Sequence, residues 1–140
     1  MATSTTTSAA VGTTTTSATG VVNLPATAQI KADLKGAFIA RKHIAAQDVV
    51  GTTPGSVYYA YDNSTKTYWA QAHFDLSPTA SEQVMVGWQD GGGTGLFAMA
   101  ADSPWSARTG GFPTYCGEVT YFPPAVLTVW GITAPSGLTC

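Results

Sequence analysis

Charge is what this sequence is most short of: Asp, Glu, Lys and Arg make up only 10% of its 140 residues, against about a quarter in an average soluble domain. Six cationic and eight anionic side chains leave a formal net charge of −2 with no basic run. That removes the positive field that draws proteins onto nucleic acid or anionic lipid, so neither is expected as a partner. Histidine and cysteine are equally sparse, with two of each. Neither cysteine has a histidine beside it, so a tetrahedral zinc site is not available, and no metal or other cofactor is expected. No apolar run approaches the roughly 18 residues of a membrane span. The phosphate loop GxxxxGK[ST], the metal pair HExxH, the nucleophile elbow GxSxG and the redox pair CxxC are all missing. Gly93, Gly95 and Ala98 match the spacing of a dinucleotide fingerprint, yet Pro104 cuts short the long helix that motif must open. A glycine hairpin fits these residues better, with an anion-binding nest of backbone N–H groups as the alternative.

What is present divides into a leader and a domain. Residues 1–22 carry no charge and no hydrophobic periodicity, and their Thr and Ser runs bury too little apolar surface to offset the entropy of ordering. They are expected to be a disordered Ser/Thr-rich leader, with residues 23–140 forming a single α+β domain. The start also lacks the basic and apolar regions of a secretory signal. The favoured reading is a mature form whose signal peptide is removed, which places the protein outside the cell or at its surface, with a lipid anchor on the native N-terminus as one means of attachment. Cys116 and Cys140, the last residue, fit this if they form a disulfide that pins the tail, worth about 3 kcal/mol in the chain-entropy picture. Two free thiols are the alternative.

Within the domain the hydrophobic period changes from helix to strand. Pro25 suits a first helical turn, and Ile30, Leu34, Ala37 and Phe38 recur at helical spacing as far as about Lys42. Lys31, Lys35, Arg41 and Lys42 give this helix four of the chain's six cations, as a solvated flank would. After a possible turn of helix at 45–50 and the breaker GTTPG, the segments SVYYAY (56–61) and TYWAQAHFDL (67–76) read as a hairpin joined by DNSTK. QVMVGWQ (83–89) reads as a third strand, GLFAMA (95–100) as a fourth, and residues around Trp105 to Arg108 as a short fifth. Pro123 and Pro124 open a short helix over AVLTVW that Gly131 ends. The expected fold is therefore an N-terminal helix packed on a four- to five-stranded antiparallel meander, with a short C-terminal helix.

Alternation along residues 67–76 sends Tyr68, Ala70, Ala72, Phe74 and Leu76 to one face, which reads as core. Trp69, Gln71, His73 and Asp75 go to the other, where an aromatic ring, an amide, an imidazole and a carboxylate are the side-chain types of a polar pocket. The four Trp, six Tyr and five Phe exceed what one small core readily hides, so an exposed aromatic patch is expected around Tyr58, Trp69 or Trp88. The candidate binding residues are thus Tyr58, Trp69, Gln71, His73, Trp88, Gln89 and Asp90. No catalytic residue is assigned. A general base at His73 oriented by Asp75 or Asp90 is the enzymatic alternative, for which no nucleophile is evident.

The runs GSVYYAYDNSTKTYWAQAHFD and GWQDGGGTGLF, followed by Trp105, resemble a set of short secreted actinobacterial proteins without assigned activity. The resemblance spans about Leu24 to Gly131 and brings no functional residue with it. In outline the helix and four-stranded antiparallel sheet are also similar to β-lactamase-inhibitor-like modules, an analogy of architecture alone. The functional expectation is a non-catalytic secreted or cell-surface binding module for a protein or glycan, a secreted enzyme that it inhibits being one such partner. A small hydrolase using His73 with Asp75 or Asp90, and a purely structural envelope protein, are the alternatives.

Overall fold

The computed structural model describes residues 17–18, 20–89, 92–109 and 116–133. Its organising element is a ten-residue strand, β5 (Thr67–Leu76), whose alternation buries Ala70, Ala72 and Phe74 on one face. Around it lie β1 (Ser17–Ala18), β2 (Val21–Asn23), β3 (Val49–Thr52), β4 (Tyr58–Asp62), β6 (Thr94–Ala100) and β7 (Ser106–Thr109). The sheet is antiparallel throughout, in the order β1-β2-β4-β5-β6-β7, with β3 pairing the far end of β5. The expected helix on an antiparallel meander is present, and the sheet has gained β3 and the two N-terminal strands. Val21, within the stretch expected as leader, lies in β2 and is wholly buried.

β3 and β4 follow one another along the same edge of β5, pairing with Phe74–Leu76 and Thr67–Gln71 respectively. The interruption between them contains Pro54, which has no N–H to give a ladder. Ser56 bridges the gap. Its hydroxyl donates to the Thr53 carbonyl at 2.7 Å and accepts from the His73 backbone N–H at 3.2 Å, so the centre of β5 keeps a partner there.

Helix α1 (Ala28–Lys42) starts at Thr27, whose hydroxyl accepts from the Ile30 N–H, and stops at His43 in the left-handed conformation. It buries Leu34 and Phe38 against the β5 core face, with Phe38 stacked on Phe74 at 4.3 Å between ring centroids. Val49, Tyr59 and Phe97 complete this cluster.

The stretch expected as a third strand is instead helix α2 (Glu82–Gly87). A run of six apolar-rich residues fits either period, and the deciding contact is Ser81, whose hydroxyl caps the Val84 N–H at 3.2 Å. Val84 and Trp88, four residues apart, are half-buried, while Met85 and Val86 face solvent. Helices α3 (Cys116–Tyr121) and α4 (Pro124–Trp130) cover the opposite face of the sheet, which the sequence reading left half-open. Val126, Leu127, Val129 and Trp130 pack there against Val21, Ala60 and Leu96. The expected Cys116–Cys140 pairing and the greater part of the leader lie outside the described residues. Among the described residues no helix is long and apolar enough to cross a membrane.

Candidate binding cleft on the second sheet face

Tyr58 and Gln71 are direct cross-strand partners in the β4–β5 ladder, so their side chains rise from the same face. Above them α4 ends at Gly131, where φ is +73°, and the Ile132 N–H bonds back to the Leu127 carbonyl. This turn carries residues 131–133 back over the sheet. A cavity of about 280 Å³ is left between, lined by Tyr58, Gln71, Glu118, Gly131, Ile132 and Thr133.

Tyr58 is the aromatic member of this lining, and behind it runs a chain of ring contacts. The Tyr58 ring leans on Trp130 at 5.5 Å, Trp130 meets Phe122 edge-on at 4.9 Å, and Phe122 meets Trp69 at 5.8 Å. Trp69 in turn contacts Tyr121 at 5.7 Å, and the Arg108 guanidinium lies over Tyr121 at 6.0 Å. Burial pushes the Tyr121 hydroxyl above its ordinary pKa, against the opposing pull of a Ser106 hydrogen bond and the Arg108 charge. Tyr58, 37% exposed, is the only exposed aromatic among the described residues.

Three buried polar atoms have no hydrogen-bond partner among the described residues: Gln71 Oε1, of the cavity lining, and Trp69 Nε1 and Trp130 Nε1, of the packed cluster on the same sheet face. Each such atom costs about 1–3 kcal/mol of desolvation, and folded proteins keep few of them. Glu118, half-buried, also lines the cavity and makes no ion pair with a described residue.

The seven candidate residues do not form one site. Tyr58 and Gln71 meet in the cleft, while Trp69 packs on the same sheet face against Tyr121 and Phe122, outside the cavity lining. His73 lies further along β5, exposed, with Nδ1 3.0 Å from Thr94 Oγ1. Asp75 accepts from the Thr53 hydroxyl at 2.6 Å. Imidazole and carboxylate thus engage different threonines, and His73 lines none of the three cavities described here, so His73 and Asp75 form no base-and-orienter pair among the described residues. Trp88 belongs to the opposite face, where its indole N–H donates to the Phe74 carbonyl at 3.0 Å. Gly93 separates it from His73: a Cβ there would lie 2.5 Å from Trp88 Nε1 and 3.0 Å from His73 Cε1. Gln89 is exposed beyond α2, and Asp90 lies outside the described residues. The sequence reading missed Glu118, Ile132 and Thr133. The available signal was that Glu118 is the only acidic residue after Asp102.

Two further hollows lie among the described residues. One of about 430 Å³ is lined by Lys42, His43, Asp48, Gln83 and Trp88 among others. The Lys42 ammonium is committed there to structure, donating to the Gly92 and Gly87 carbonyls at 2.9 and 3.3 Å beneath the Phe38 and Trp88 rings, and burial lowers its pKa. The other, about 450 Å³, is a shallow apolar groove along α1 beside Met99, Pro104 and Trp105. Among the described residues no three His, Cys, Asp or Glu side chains gather as metal ligands. No family model, curated protein or solved structure matches the chain.

Proposed function

We propose that the protein is a non-catalytic binding module, secreted or held at the cell surface, that recognises its partner through the cleft formed by Tyr58, Gln71, Glu118 and residues 131–133. The observation that carries this reading is that Gln71 Oε1, a buried acceptor with no partner among the described residues, belongs to the lining of a cavity that also presents Tyr58, the one exposed aromatic ring among the described residues. Tyr and Trp beside a small number of convergent polar groups are the composition of binding hot spots and ligand pockets. The scaffold is suited to the task, because Tyr58 and Gln71 sit on paired strands rather than on loops. A protein partner, such as a secreted enzyme that the module inhibits, is favoured over a polysaccharide, because Tyr58 is the one exposed aromatic ring among the described residues and makes no ladder for successive sugars.

The test is capture from the producer's culture fluid and cell envelope by the intact protein, compared with Tyr58→Ala, Gln71→Ala and His73→Ala. The expected result is one captured species lost with the first two variants and kept with the third. Capture insensitive to Tyr58 and Gln71, or lost only with His73→Ala, would remove the cleft from the function.

A further inference from the structure

Resting on that reading, we infer that the cleft receives a cationic, N–H-rich group, a guanidinium above all, such as an arginine side chain presented by a partner protein. What the lining offers is acceptors and negative charge. Glu118, a half-buried residue, supplies a carboxylate with no ion pair among the described residues, and Gln71 supplies an amide oxygen that no described donor satisfies. No Lys, Arg or His lines the cavity. The described lining therefore leaves both acceptors without a cationic partner, and the buried Gln71 oxygen costs stability until it is hydrogen-bonded.

The rings add to this. Tyr58 and Trp130 stand 5.5 Å apart at 39°, and Tyr58 presents its exposed part to the cavity. An aromatic face beside a carboxylate favours a planar cation, which stacks on the ring while its donors fork onto the oxygens. A guanidinium carries five N–H donors, enough for two on Glu118 and one on the Gln71 oxygen, once that amide turns about its soft terminal torsion. The cavity, about 280 Å³, is of a size for one long side chain and too small for a typical drug-sized ligand. An anion is disfavoured by Glu118, and a neutral apolar group would leave both acceptors unpaired.

The test uses the full chain, isotope-labelled, titrated to high millimolar concentration with N-acetyl-arginine methylamide, with butylamine, and with the citrulline analogue, which replaces the guanidinium by a neutral urea of the same shape. Shifts are expected at Tyr58, Gln71, Glu118 and residues 131–133, in the affinity order arginine, butylamine, citrulline. Glu118→Gln, which keeps the shape and removes the charge, should weaken arginine about tenfold, as loss of a charge-assisted hydrogen bond does. Tyr58→Phe should retain most of the binding and Tyr58→Ala should not, while His73→Ala leaves it unchanged. A parallel titration with a short arginine-bearing peptide separates the sources: tighter binding than the single amino acid points to a protein partner, and equal binding to a free guanidinium compound. Equal affinity for the arginine and citrulline probes, or indifference to Glu118→Gln in a folded variant, overturns the inference. If a neutral or anionic ligand shifts the same residues in a Tyr58-dependent way, the cleft remains a binding site and only its cation preference falls. If no probe shifts these residues and capture is also insensitive to Tyr58, both readings fall.

Discussion

Tyr58 and Gln71 stand opposite one another across the β4–β5 ladder, and the tyrosine ring rests on Trp130 while the glutamine oxygen has no partner among the described residues. One member of the pair is thus held by packing and exposed for contact. The other is covered and unsatisfied, a combination that costs stability without a ligand.

Gln71→Leu separates stability from function. Replacing an unpaired buried acceptor by an apolar group of similar size should leave the unfolding free energy unchanged or raise it by about 1 kcal/mol. Capture of the partner should be lost. Urea denaturation checks the first half, and a loss of stability above about 1 kcal/mol would show that Oε1 has a partner in the folded protein.

Two glycine substitutions should act in opposite directions. A Cβ at Gly95 would lie 2.5 Å from Phe97 Cζ and 3.0 Å from Phe38 Cδ1, both wholly buried rings. Gly95→Ala should therefore destabilise by about 1–3 kcal/mol through overpacking. Gly36 is exposed within α1 with nothing inside 4 Å of its Cβ position, and Gly36→Ala should stabilise by about 0.5–1 kcal/mol. Thermal unfolding of the two variants gives the comparison.

Asp62 should govern acid stability near the β4–β5 turn. Its side chain is 4% exposed. Burial alone would raise its pKa, but hydrogen bonds from Ser64 and Thr65 outweigh that and hold it below the ordinary 3.8. The Ser64 hydroxyl and N–H donate at 2.7 and 3.0 Å. Because the folded pKa is the lower one, the stabilisation is present above 3.8 and is lost as the pH falls through the folded value. Asp62→Asn should cost stability at pH 7, and the gap to the parent should narrow towards pH 2; a constant gap would separate Asp62 from the acid transition.

Tyr59 acts at the other end of the scale. Burial first, and the neighbouring Tyr68 and Asp33 charges second, push its hydroxyl from 10.0 up to about 12. The unfolded chain then releases this proton earlier than the folded one, so stability is full below pH 10 and falls as the pH rises to about 12. Tyr59→Phe should flatten this alkaline loss, and in a 295 nm titration the variant should lack one tyrosinate from the late-absorbing part of the parent's curve, to which Tyr121 also contributes.

Much of the framework was legible in advance, for local reasons. Ten residues of strict alternation identify β5 from end to end, and Pro124 with Gly131 bound α4 because one suits a first helical turn and the other a left-handed stop. α2 was misread because QVMVGW is too short to distinguish the two periods, so a single capping hydroxyl on Ser81 outweighed the β-branched composition. The face carrying Trp69 and Gln71 was read correctly as a set and wrongly as half-open, since nothing local says that α3 and α4 return to cover it.

The sequence alone determined the class of fold, the face on which each β5 side chain stands, and the absence of a strongly basic surface, because these follow from spacing and composition. Only the tertiary structure decided that Tyr58 and Gln71 share a cleft while His73 and Trp88 are excluded from it, and that Glu118 completes it from 47 residues further along the chain than Gln71. The physical reason is that a pocket is defined by which surfaces meet after the chain has closed its long loops, and that choice is made by the summed burial of both faces of the sheet, a quantity no short segment carries.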